Sequence, residues 1–77
     1  MPRFSDLRRF LERDGWTEYG RPGSDHLKFM KVLADGTVLR TKVSHSLARE
    51  IPPSLWPKIR KQQLGLDSDE EFWEKAR

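Results

Sequence analysis

The sequence contains no cysteine. Disulfides, thiolate metal sites and thiol nucleophiles are therefore all excluded, and the expected compartment is the cytoplasm. Long apolar runs are also missing. The longest is Val32-Leu33-Ala34, far short of the roughly 20 residues of a membrane-spanning helix or of the apolar region of a signal peptide. No membrane partner is expected. Histidine is scarce, with only His26 and His45 present, and two histidines this far apart among scattered carboxylates make a poor metal-binding pattern. Neither a glycine-rich phosphate loop nor a Ser-His-Asp ordering is discernible. The expectation is a site without a metal or other cofactor. With 77 residues, 35% of them apolar, the chain has material for one small domain over residues 1–77, with a thin stability margin and no deep pocket.

What the sequence does have is charge. Residues 1–66 hold thirteen Lys/Arg against seven Asp/Glu, a net +6, whereas residues 67–77 hold two against five, a net −3. A basic body with an isoelectric point near 9.6 leans towards a polyanionic partner, because Lys/Arg contacts to phosphate release condensed counterions. The acidic tail can serve as an intramolecular counterweight or as a partner-facing helix, and the sequence does not choose between them.

Hydrophobic periodicity organises the chain as α-β-β-β-α-α. Phe4, Leu7, Phe10 and Leu11 recur at helical spacing, which predicts a first helix over 5–14 with Ser5 as N-cap and Gly15 closing it in the left-handed conformation. A short strand over 16–19 precedes the turn Arg21-Pro22-Gly23-Ser24. Residues 26–33 and 37–45 alternate around Asp35-Gly36, which predicts a hairpin. That alternation sorts the side chains. Leu27, Phe29, Leu33, Leu39 and Val43 fall on one face, to be covered by helices, and His45 is expected on the same side near the strand end. His26, Lys28, Met30, Val32, Arg40, Lys42 and Ser44 fall on the other, open face. Lys31 interrupts the apolar face, which calls for a bulge or a snorkelling stem. A second, basic helix is expected from an N-cap at Ser54 to Gly65, and Ser68 and Glu71 have capping-box spacing for a short acidic helix over 68–76. The expected fold is α+β, with a three-stranded antiparallel sheet and the helices on one face.

His26 is the main candidate for chemistry. It follows a Gly-Ser-Asp turn on the open face with Lys28, Arg40 and Lys42 nearby, an imidazole in a basic field that would hold phosphate. Such an imidazole can take a ribose 2′-OH proton or protonate a leaving 5′-oxygen. The plainer reading is one exposed strand histidine. Asp25, adjacent on the strand, is expected to serve the turn rather than His26. Lys58 and Lys61 on the second helix are either further phosphate contacts or a solvated helix face. Tyr19, Trp56 and Trp73 are expected as core or interface anchors, and an exposed aromatic among them would instead suggest a base platform.

Asp14-Gly15-Trp16, Gly23-Ser24-Asp25-His26-Leu27-Lys28, His45 and Lys61-Gln62-Gln63-Leu64-Gly65-Leu66 together resemble the HicA family of toxins across nearly the whole chain. The resemblance implies a double-stranded-RNA-binding-domain-like fold and an mRNA interferase, an endoribonuclease toxin that cleaves RNA without a metal and blocks translation under stress. It also implies silencing by a cognate HicB-like antitoxin protein. The family's catalytic histidine carries over to His26, and Gly23 and Ser24 would shape the turn that presents it. RNA contacts from Lys28, Arg40, Lys42, Lys58 and Lys61 are our own reading. Asp25 stands where many members have His or Asn, and its charge would repel phosphate and weaken activity. His45-Ser46 replaces the usual His-Pro step. Two other readings stand beside the toxin. One is a non-catalytic RNA-binding module on the same fold, and the other is a protein-interaction subunit that docks through its apolar anchors.

Overall fold

The computed structural model describes residues 1–20, 23 and 26–77. The element order is α1 (Phe4–Arg13), β1 (Thr17–Tyr19), β2 (His26–Val32), β3 (Val38–Ser44), α2 (Trp56–Lys58), which continues as a π-helical stretch (Ile59–Gln63), and α3 (Asp69–Ala76). The three strands form an antiparallel sheet in the order β1-β2-β3. The α+β class and the antiparallel sheet are as expected. No helix among the described residues is long and apolar enough to cross a membrane.

The first helix begins before Ser5, so the expected cap is corrected to Arg3. The reason lies far along the chain. The Phe4 and Ser5 N–H groups donate to the carbonyls of Arg49 (3.0 Å) and Leu47 (2.8 Å), while Ile51 N–H donates to Pro2 O (3.0 Å). Carbonyls of the 46–51 loop thus take up donors that a helix leaves unpaired at its start. Asp6 adds a local bond, accepting from Arg3 N–H at 2.8 Å. At the other end, Gly15 has φ +80° and Trp16 N–H reaches back to Leu11 O at 3.0 Å. This is the left-handed closure the sequence implies.

The β2–β3 hairpin pairs His26 with Ser44, Lys28 with Lys42, Phe29 with Thr41 and Met30 with Arg40. Phe29, Thr41 and Val43 are buried against the helices, whereas His26, Arg40 and Lys42 are exposed. The face assignment holds. Thr41 completes it, a polar side chain on the covered face at 3% exposure. Lys31 keeps strand geometry without a bulge and places its ammonium 3.0 Å from Asp14 Oδ2, the snorkelling alternative. The open face is not uniformly polar, because Val32 and Val38 pair across the hairpin end and both are exposed.

Ser54 does not cap α2. Leu55 occupies that position without a side-chain bond, and the Leu55 and Trp56 N–H groups both donate to Pro52 O. The helix then widens. Ile59 and Leu64 are both buried, yet five residues in a regular helix of 3.6 per turn lie about 140° apart around the axis. The wider closure, with Leu64 N–H on Ile59 O at 2.9 Å, brings the two apolar side chains to one side.

The acidic segment folds back onto the body. Ser68 caps α3, its Oγ accepting from Glu71 N–H at 3.4 Å, and Asp69, Glu70 and Glu71 occupy the positive first turn. Phe72 is fully buried, with ring centroids 5.2 Å from Phe10, 4.7 Å from Trp56 and 5.1 Å from Trp73. At the far end, Arg9 Nη1 donates to Ala76 O (2.7 Å) and Arg13 Nη1 to Lys75 O (2.8 Å), so two α1 arginines cap α3. Asp69 accepts from Trp56 Nε1 (3.0 Å) and lies 3.3 Å from Arg60 Nε. The tail is a counterweight packed on the basic body, with Glu70, Glu71 and Glu74 left exposed.

Asp14 ties these parts together. Its carboxylate accepts from Trp16 Nε1 and Lys31 Nζ, both at 3.0 Å, and from Lys75 Nζ. Burial opposes its ionisation, but the bonds from Lys75, Lys31 and Trp16 outweigh that and hold its pKa below the ordinary aspartate value.

Two predictions follow from the packing. Phe72→Ala removes the ring shared by Phe10, Trp56 and Trp73 and should cost about 3–5 kcal/mol, read as a shifted urea midpoint. That is a large share of a small domain's stability. Asp14→Asn should cost about 1–2 kcal/mol at neutral pH by weakening charge-assisted bonds. Because the folded-state pKa is depressed, this contribution is present above the unfolded-state pKa and is lost as pH falls through the folded one. Denaturation curves of wild type and Asp14→Asn should therefore differ at pH 7 and converge in strong acid.

Candidate nucleic-acid interface

β2 opens at His26, directly opposite Ser44 near the end of β3. Arg40 and Lys42 follow at two-residue steps along β3 and so share the open face with it. Tyr19 closes β1, paired with Lys28, which is itself paired with Lys42. One row across the sheet therefore reads Tyr19, Lys28, Lys42.

All of these but Lys28 line a groove of about 500 Å³ shared between the sheet and the helices. His26, Tyr19, Arg40, Lys42 and Ser44 line it from the sheet, and Leu55, Ile59 and Gln63 line it from α2 and the π-helical stretch. Phe4 and Thr41 complete the lining. The charge is one-sided, because Arg40 and Lys42 contribute two cations and no described lining residue is a carboxylate. At 39% exposure Tyr19 is no core anchor, unlike Trp56, which is buried, and Trp73, which is half-buried against the core. Of the two anchor roles expected for Tyr19, the core one is excluded: its strand is at the sheet edge and its position faces away from the helices.

The other expected residues lie around the groove rather than in its lining. Lys28 is half-buried, its stem beside Gly20. Lys58 and Lys61 are exposed on the outer side of the second helical segment, while Arg60 between them turns inward to Asp69 and to the Asp67 carbonyl. His45 is corrected from the helix-facing side of β3 to an exposed bend after it, where its carbonyl accepts from Leu47 N–H at 2.9 Å. Gly23 is exposed with φ +83°, the left-handed conformation expected for this turn. Ser24 and Asp25 lie outside the described residues, as do the roles expected of them. No group of three or more potential metal ligands occurs among the described residues.

The sequence reading missed Thr41 and Gln63 as site residues. The Thr41 hydroxyl donates to Gln63 Oε1 at 2.6 Å, joining the floor of the groove to its helical wall. The alternation already placed Thr41 between Leu39 and Val43, and Gln63 lies inside a quoted motif. Their pairing required the tertiary fold.

No family model, curated protein or solved structure matches the chain.

Gln63→Leu leaves the buried Thr41 hydroxyl without this acceptor and should destabilise by about 1–3 kcal/mol. Adding Thr41→Val should recover part of that loss, so a double-mutant cycle in urea should show non-additivity.

Proposed function

We propose that the chain is a metal-independent endoribonuclease acting on mRNA, the toxin of a toxin–antitoxin pair on a double-stranded-RNA-binding-domain-like scaffold. A HicB-like antitoxin protein is its proposed partner. The observation that carries this reading is the groove that His26 lines together with the cations Arg40 and Lys42. The resemblance to HicA toxins, centred on the same histidine, gives independent support.

The chemistry follows from the groups available. His26 as general base takes the proton of a ribose 2′-OH, and O2′ bonds to the adjacent phosphorus. The P–O5′ bond then breaks, and the departing 5′-oxygen takes a proton from the imidazolium or from water. The products are a 2′,3′-cyclic phosphate and a 5′-hydroxyl. Arg40 and Lys42 stabilise the charge that builds on the phosphoryl oxygens.

The second reading is a non-catalytic RNA-binding module. It is favoured by one observation, that His26 is the one described lining residue suited to proton transfer near neutral pH, since His45 lies outside the groove.

Tightly controlled expression in a bacterial host separates the two. Wild type should arrest growth and degrade mRNA. His26→Ala, soluble and folded, should do neither and should cleave at least about 10²-fold more slowly in vitro. Equal toxicity of the two proteins, or harmlessness of both, would overturn the catalytic reading.

A further inference from the structure

Tyr19 is the feature that the proposed cleavage does not use. Its side chain is large and partly apolar, and it stands at the rim of a small domain whose other aromatic residues are buried or packed on the core. It lines the same groove as His26, Arg40 and Lys42. A groove of about 500 Å³ is within the range of sites that hold a small ligand, roughly 300–1,000 Å³. Its walls differ in chemistry: imidazole, guanidinium and ammonium on the sheet face, and the apolar Leu55 and Ile59 on the helical side. A ligand matching that contrast carries an anionic group beside a flat, weakly polar one, as a nucleotide does.

We propose that Tyr19 is a base-stacking platform, which seats one unpaired nucleobase of an RNA strand while Arg40 and Lys42 hold the neighbouring phosphate at His26. This inference rests on the endoribonuclease reading and adds to it a specificity element. A ring presented at a sheet surface can stack only on a base that has left its own helix, because bases within an A-form duplex are already stacked and paired. Such a contact is tolerant of base identity, since each base has a π-face. The site therefore selects single-stranded segments by shape and leaves sequence preference to other contacts. The tyrosine hydroxyl is dispensable in this arrangement, and the ring is not.

The test measures binding without cleavage. The probe is a short fluorescein-labelled RNA with 2′-O-methyl riboses, which lack the attacking hydroxyl, titrated with wild type, Tyr19→Ala and Tyr19→Phe at one fixed salt concentration. Tyr19 is 39% exposed, so Tyr19→Phe should keep the wild-type melting temperature, and Tyr19→Ala should remain folded at the titration temperature, checked by circular dichroism. Tyr19→Ala should bind about ten-fold or more weakly, in line with the loss of one base–aromatic stack. Tyr19→Phe should bind within about two-fold of wild type, and an unlabelled duplex of the same sequence should compete poorly. Undiminished binding by Tyr19→Ala, or equal competition by the duplex, would overturn the platform while leaving His26-dependent cleavage to stand on its own assay. Failure of wild type to bind the single strand would remove both.

Discussion

The burial of Phe72 is the contact on which the rest of the molecule depends. Phe10 comes from α1, Trp56 from α2 and Phe72 from α3, and the three rings meet in one cluster. A domain of this size has little apolar area to spare, and a fully buried aromatic side chain supplies about 1.5–3 kcal/mol or more. Docking α3 therefore does more than tidy the C-terminal segment. It covers Phe10 and orients Trp56, whose indole N–H is held by Asp69. From Trp56 the chain runs directly into the π-helical stretch that forms the wall of the groove.

The electrostatic organisation follows from the same docking. Arg9, Arg13 and Arg60 are engaged by α3 or the segment leading to it, so these cations serve the fold. Arg40 and Lys42 are on the opposite side of the sheet, where no described acidic residue lines the groove. The net charge of the chain is modest, but it is partitioned. Asp6, Asp69 and Asp14 pair with Arg9, Arg60 and Lys75 in the helical layer, whereas Arg40 and Lys42 of the open sheet face line the groove.

How much of this was legible beforehand varies by element. The period-two pattern from His26 to Val32 and from Val38 to Ser44 placed His26, Arg40 and Lys42 on one face, because a strand's side-chain direction depends only on parity once the register is set. Gly15 and Ser68 were legible as helix boundaries because their effects are local. The cap of α1 was not, since its donors are met by carbonyls more than forty residues away. The widened turn at Ile59–Gln63 was hidden for a similar reason: it answers to two apolar side chains that must reach one core. The exposure of Tyr19 was not legible, because a three-residue strand carries too little pattern to reveal which side of the sheet its last residue faces.

The sequence by itself determined the class of the fold and the two faces of the hairpin, with His26 on the open one, because each of these follows from spacing between near neighbours. Only the tertiary structure decided that the acidic segment serves the core, that Thr41 and Gln63 join sheet to helix, and that Tyr19 shares a groove with His26. These relations join residues distant in sequence. They arise when apolar surface is buried and each buried polar group finds a partner, a requirement that the whole chain meets at once and no local segment can express.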